Sequence, residues 1–381
     1  MHDCKLGLYL HIPFCSAICN YCNFNRGLFD PDLKARYVAA LEREIARIGD
    51  RHGSAQAPAD TIYFGGGTPS LLDPVEIGRL IAVCRDVFAV AADAEMTLEA
   101  NPETVTPATL DGFRAAGVNR LSFGVQSFRD EELRRLSRLH DVARARQAYR
   151  DARAAGFENI SLDLMMWLPE QRLDDWRVSV ESLIDLRPEH ASLYLLELYP
   201  DAPLREDMAR ARWSQAPDDD AAAMYLWAME RLEGAGYDQY EISNVARPGR
   251  RSRHNLKYWT DGEWFGFGCG AHSTIAGVRW KNVAAIGEYL ARVERDGEVS
   301  VDRRALSPSE RLGEAIFMGL RLTEGLDLEA AGVRYGADAW GRYGPELARF
   351  FDAGLAVRSG ARLRLTRPGM LVANDVMSVF V

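Results

Sequence analysis

Residues 8–24 read LYLHIPFCSAICNYCNF and carry three of the chain's six cysteines, Cys15, Cys19 and Cys22, in the spacing C-x3-C-x2-C. The segment LGLYLHI (6–12) is rich in β-formers, so the cysteines follow directly on a strand. Clustered thiolates bind soft metals, which points to zinc or an iron–sulfur cluster. Structural zinc takes four closed tetrahedral ligands. A fourth is not evident. His11 is a candidate; the alternative is that it ends the strand with its side chain satisfied locally. A [4Fe–4S] cluster gives the missing ligand a use, because three thiolates leave one iron open for substrate or cofactor.

Outward from this stretch, strand-like and helix-like runs alternate. Apolar residues recur with a helical rhythm from Asp32 to Ile48, then ADTIYFGGG (59–67) reads as a strand ending in glycines. A helix is expected at 74–88, a strand in EMTLEANP (95–102) and another in NRLSFGVQS (119–127), followed by charged helical sequence to about Ala155. NISLDLMMWLP (159–169), a helix near 173–186 and HASLYLLEL (190–198) continue the pattern. Such alternation predicts an α/β fold of βαβ units with a parallel sheet, whose ligands sit beyond the carboxyl ends of the strands. The cysteines, GGGTP, EANP and GVQS all fall at such ends.

The alternation weakens after residue 240. Residues 241–303 are glycine-rich and aromatic, and VSVDRRALSPSER reads as a linker. The last segment, 304–381, predicts a helix at Glu310–Leu320, another near Glu346–Ala353 and a hairpin with Ser359-Gly360 at its turn, a small winged-helix-like domain.

Composition bounds the function. With 46 Lys+Arg against 55 Asp+Glu the net charge is −9, a poor basis for general nucleic-acid binding, so the winged segment is expected to pack or meet a partner. No apolar run approaches a membrane span and the N-terminus lacks a signal-peptide layout, so the expectation is a cytoplasmic protein. Cys4, Cys84 and Cys269 are scattered, unlike a secreted disulfide framework, and Cys4 and Cys84 read as structural.

Glu99 and Asp163 lie in apolar strand-like sequence, where an unpaired carboxylate is costly, so each must meet a cation, donors or a ligand. A structural ion pair is the plainer alternative for each. Gln126 and Arg138 complete the polar set, Arg138 with a planar fork suited to a carboxylate. Gly65, Gly66 and Gly67 allow close backbone approach to a ligand, or simply a tight turn. HNLKYW (254–259) offers His254 as an axial iron ligand with aromatic faces, beside Arg247, Arg250, Arg251, Arg253 and Lys257; a solvated loop is the alternative. Cys269, in FGFGCGAHS, is a further candidate ligand of heme or cluster.

The cysteine spacing, with Tyr21 before the last cysteine, resembles the radical S-adenosylmethionine (SAM) superfamily. LYLHIPFC, GGGTPSLL, NPE, GVQSF, SRLHD, DLMMWLP and SLYLLEL resemble its coproporphyrinogen oxidase-like branch, over nearly the whole chain. That resemblance implies an open six-unit βα partial TIM barrel (1–240), the connecting segment (241–303) and the C-terminal domain (304–381). It implies a [4Fe–4S] cluster on Cys15, Cys19 and Cys22, and SAM contacts at Tyr9, Tyr21, Gly66, Gly67, Thr68, Glu99, Gln126, Arg138 and Asp163. Within the branch, Phe24 stands where the oxidases carry a further cysteine, and CSAICNYCNFN together with HNLKYW resembles the HemW-type heme chaperones. The implied partners are heme and heme-accepting respiratory enzymes at the membrane, with a homodimer as a candidate assembly. Two other readings stay open: an oxygen-independent coproporphyrinogen III oxidase, and a radical SAM enzyme with no porphyrin ligand. Whether SAM is cleaved or only bound is open as well.

Overall fold

A computed structural model describes residues 5–52 and 57–380; Cys4 lies outside the described residues. Six parallel strands form the centre: β1 (Leu6–Ile12), β2 (Pro58–Gly66), β3 (Ala89–Ala100), β4 (Arg120–Gln126), β5 (Ile160–Met166) and β6 (His190–Leu195). Helices α1 (Pro31–His52), α2 (Pro74–Val87), α3 (Pro107–Ala116), α4 (Val142–Ala154) and α5 (Leu173–Leu186) make the crossovers. The strands belong to one 12-stranded sheet whose two ends do not meet, the open partial barrel expected.

Alternation along the strands separates two environments, because successive side chains point to opposite faces. Leu8, Leu10, Ile62, Phe64, Leu98, Leu121, Leu162 and Leu164 are buried in the apolar core, as is Cys84 of α2. The other face is polar: Tyr9 and His11 on β1, Tyr63 on β2, Glu99 on β3, Arg120 and Ser122 on β4, Ser161 and Asp163 on β5. Closed barrels fill this interior with branched apolar side chains. Here it is a lumen of titratable groups opening on the carboxyl ends of the strands.

Three expectations need correction. The charged stretch after β4 is two helices, Asp130–Arg135 and α4, broken where Ser137 adopts φ 55°. VSVDRRALSPSER is no linker: Ser300–Ala305 is the edge strand of the large sheet, joined through Val278–Asn282, His272–Ile275 and Trp264–Phe267 to β1. HNLKYW is no loop: Arg253–Trp259 is a helix capped by Ser252. The segment after 240 is thus built into the barrel's sheet.

At the C-terminal end, helices Pro308–Gly319, Leu328–Tyr335 and Ala339–Asp352 precede the hairpin of Ala356–Ser359 and Arg362–Leu365, the winged-helix-like arrangement expected. Ser359 pairs with Arg362, so the turn is Gly360-Ala361, one residue later than expected, with the positive φ of 61° falling on Gly360. Among the described residues no helix is long and apolar enough to cross a membrane.

Candidate functional site

The cysteine loop is closed at its base by a short ladder. Phe14–Cys15 pairs parallel with Gly27–Leu28, and the Phe29 amide donates to the Cys15 carbonyl at 2.9 Å. Side chains pin the rest. Asn20 Nδ2 donates to Arg135 O at 2.8 Å and Asp207 Oδ2 at 2.9 Å; Asn25 Nδ2 donates to Cys269 O at 3.1 Å and Ala284 O at 3.0 Å. Arg26 donates to the carbonyls of Cys22 and Phe24. These contacts fix where the thiols stand relative to the strands.

Beneath the loop lies a cavity of about 400 Å³. It is lined by the three cysteines and Tyr21, by Gly66, Gly67 and Thr68 after β2, and by Glu99, Gln126, Arg138 and Asp163. The structure thus brings together the three cysteines and all but one of the nine implied SAM contacts, Tyr9 being the exception. Burial pushes the Cys15 and Cys22 thiols up, while the Thr68 hydroxyl, donating to Cys15 Sγ at 3.6 Å, opposes the shift at Cys15. Iron would have to displace those protons.

The glycines prove necessary for a reason beyond ligand approach. A Cβ on Gly67 would stand 2.7 Å from the Phe14 carbonyl oxygen and 3.0 Å from Cys15 Sγ. One on Gly66, at φ 117°, would stand 2.6 Å from His11 Cε1. The backbone is pressed against the strand that carries Cys15. Both amides are already used, Gly66 N on Glu99 Oε2 at 3.1 Å and Gly67 N on Ile12 O at 2.8 Å.

Glu99 also accepts from Tyr63 OH at 2.7 Å, and burial pushes its carboxyl up to about 7. Asp163 accepts from Ser122 at 3.2 Å and Ser161 at 3.3 Å and is likewise raised by burial. Among the described residues neither carboxylate has an ion-pair partner, which sets aside the structural ion-pair reading. Arg138, in the turn that breaks the helical stretch, donates to Asn101 Oδ1 at 2.8 Å, Gly124 O at 2.6 Å and Cys19 Sγ at 3.6 Å. Its Nε is buried without a partner. Gln126 holds a left-handed φ of 68°, a conformation that non-glycine residues keep mainly where function over-determines it.

The two outliers are Tyr9 and His254. Tyr9 lies deeper in the lumen, its hydroxyl 3.0 Å from His11 Nδ1. His254 is 1% exposed near the amino ends of the strands, with Nδ1 2.8 Å from Thr61 Oγ1 and Nε2 2.9 Å from Tyr258 OH. Burial lowers it to about 3, so it is neutral with both nitrogens in use. An iron bond there would replace one of those hydrogen bonds. Three of the five neighbouring cations are also paired: Arg253 and Lys257 with Asp60 at 3.2 and 2.6 Å, Arg251 with Glu324 at 3.7 Å. His11 spends Nε2 on Asn25 O at 2.8 Å and Cys269 is covered by Tyr37 and Asn25, as local packing requires.

Sequence reasoning missed Asn101, Asn20 and Asn25. Asn101 joins Thr68 (3.2 Å) to Arg138, and its signal was the asparagine of EANP at a strand end. Asn20 and Asn25 lay inside the cysteine stretch without a spacing of their own.

A pH dependence of stability follows from the buried carboxyls. Glu44, fully inside and accepting from Gly268 N, Asn282 and Tyr289, is also pushed up to about 7 by burial. A carboxyl raised in the folded state binds a proton that the unfolded chain has lost, so stability present below about pH 4.5 is lost as pH rises through about 7. Glu44 alone contributes on the order of 3 kcal/mol over that window. Urea midpoints measured from pH 5 to 8 are expected to fall, and the fall to flatten in Glu44→Gln; a midpoint constant over that range contradicts the assignment.

The donor set fits a cluster. Three thiols share one cavity mouth, among the described residues no fourth cysteine lines it, and the Arg138 guanidinium is part of its wall. Among the described residues no three His, Cys, Asp or Glu side chains close on a single ion.

Residues 9–183 match the Radical SAM superfamily and residues 306–372 the HemN C-terminal domain. The solved structure of coproporphyrinogen III oxidase (HemN) from Escherichia coli superposes with a TM-score of 0.87 at 25% identity, covering 99% of this chain and 90% of that one. Fold and site define a radical SAM protein of the coproporphyrinogen oxidase-like branch. Proteins named heme chaperone HemW from Bacillus subtilis and Escherichia coli K12 are 36% and 32% identical, over 98% and 99% of this chain and 98% of each relative. The chain belongs to the HemW family.

Proposed function

We propose that this protein is a heme chaperone: it binds heme together with a [4Fe–4S] cluster and SAM, and passes heme to respiratory enzymes. The observation that carries this reading is the end-to-end likeness to relatives named as heme chaperones. The site adds support. Phe24, at the position of the oxidases' extra cysteine, is 64% exposed at the cavity mouth, and Leu195 and Tyr199 are exposed beside it, apolar surface suited to a porphyrin face.

In this reading Cys15, Cys19 and Cys22 hold the cluster as thiolates, and the hydrogen bonds from Thr68 and Arg138 stabilise two of those charges. Arg138, on the cavity wall, would supply the positive charge that meets the SAM carboxylate, while Glu99 and Asp163 would accept from the ammonium and hydroxyl groups of SAM. Gln126 and Tyr21 wall the same cavity, and Tyr9 supports it from below through His11. When bound, cluster and SAM together supply one-electron reductive chemistry.

The likeness to the oxidase structure favours a second reading, oxidative decarboxylation of coproporphyrinogen III. Anaerobic reconstitution, heme titration in the Soret region and a parallel coproporphyrinogen assay separate the two. Saturable heme binding without decarboxylation is expected, and binding should persist in His254→Gln, since His254 is enclosed. Turnover to protoporphyrinogen would make the protein an oxidase.

A further inference from the structure

Arg120 is the odd charge in the lumen. It is 1% exposed, and its Nε has no hydrogen-bond partner. Among the described residues it makes no ion pair, although arginine stays protonated in proteins and an unpaired buried charge is costly. The register of the sheet shows what stands near it. Arg120 lies opposite Thr97 on β3, whose Oγ1 is also buried without a partner. One inward step further along, Ser122 is level with Glu99 on one side and Ser161 on the other, and Ser122 donates to Asp163. Arg120 therefore stands one inward step before the level of Glu99 and two before that of Asp163, close enough for its charge to act on both, and among the described residues it pairs with neither.

We propose that Arg120 is a positioning residue that acts through charge: from beneath the floor it holds the negative charge of Glu99 and Asp163, and so fits the cavity to a cationic ligand. This rests on the reading that the ligand is SAM, a sulfonium with an α-ammonium group. Direct contact would have neutralised the carboxylates as an ion pair. A cation set below them, rather than paired with them, favours their ionised form and leaves their oxygens facing the cavity.

The other cation of the cavity, Arg138, is committed to Asn101 Oδ1, Gly124 O and Cys19 Sγ, and the remaining groups around the two carboxyls carry no positive charge. Glu99 is faced by Tyr63, Tyr9, Tyr194 and Tyr258, and by Asp163. Asp163 is faced by Tyr194, by Ser192 and, through Ser161, by His190, which burial keeps neutral. Arg120 opposes the effect of burial at both.

The test is SAM binding to cluster-reconstituted protein by equilibrium dialysis between pH 6 and 8.5. Wild-type affinity should strengthen through about pH 7 as Glu99 ionises, then level. In Arg120→Met the midpoint should move up by about one unit, giving roughly tenfold weaker binding at pH 7 that recovers toward pH 8.5. Arg120→Lys should follow the wild type. Infrared titration of the carboxyl stretch, assigned by Glu99→Gln, should show the same displacement in unliganded Arg120→Gln and Arg120→Met. Loss of affinity by one factor at every pH, or an unmoved infrared midpoint, would overturn the proposal. If wild-type protein bound no SAM at any pH, the SAM reading would fall, and the infrared arm would still decide the role of Arg120.

Discussion

Replacing Cys15, Cys19 and Cys22 together by serine is expected to abolish iron–sulfur absorbance and bound iron after anaerobic reconstitution, and to reduce SAM binding below detection. Serine preserves size but offers no soft thiolate. The fold should survive, because the loop is also held by the 14–15 and 27–28 ladder and by Asn20, Asn25 and Arg26. Apo-protein melting temperatures should therefore agree within a few degrees, with circular dichroism unchanged. Iron retained by the triple variant would remove the shared basis of the chaperone and oxidase readings.

The second large effect is expected from Gly67→Ala, a single methyl group. The added Cβ meets backbone, the Phe14 carbonyl oxygen at 2.7 Å, so no side-chain rotation relieves it, and it also meets Cys15 Sγ at 3.0 Å. Either β2 or the Cys15 strand must shift. Overpacking of this kind costs about 1–3 kcal/mol, and here the displaced atom is a cluster ligand. Cluster occupancy should fall by at least about half, with stability lowered by that amount. Gly234→Ala is the control: its Cβ meets nothing within 4 Å, it ends the helix Asp218–Gly234, and alanine there should stabilise by up to about 1 kcal/mol. Iron content and urea midpoints of the two variants distinguish a local clash from a general intolerance of alanine. Full cluster occupancy in Gly67→Ala would show that the loop is looser than its contacts imply.

Much of the site was legible because its chemistry is concentrated in short motifs at strand ends. A period-2 strand leading into a turn places its last residues at the rim, whatever the rest of the chain does. Cys15, Gly67, Glu99 and Gln126 could be assembled that way, each from its own segment. Arg138 was legible as a residue but not as a position, since the break at Ser137 that aims it inward depends on left-handed backbone that charged helical sequence does not advertise. His254 shows the opposite failure. A histidine beside aromatics and arginines satisfies the pattern of an exposed heme ligand, yet the helix it begins is drawn under the barrel, where Thr61 and Tyr258 take both nitrogens. Arg253 and Lys257 beside it meet aspartates from β2 and the start of β3, partners far away in sequence.

By itself the sequence determined the order of strands and helices, the thiol triad and the polar tips of the strands, because these depend on local periodicity and on the identity of side chains. Only the tertiary structure decided that residues 264–305 extend the barrel sheet and that glycine is needed under Cys15. It alone showed that an unpaired arginine lies below two carboxylates. Each of these is set by distances between segments widely separated along the chain, and burial, which gives such distances their energetic weight, exists only once the segments have packed.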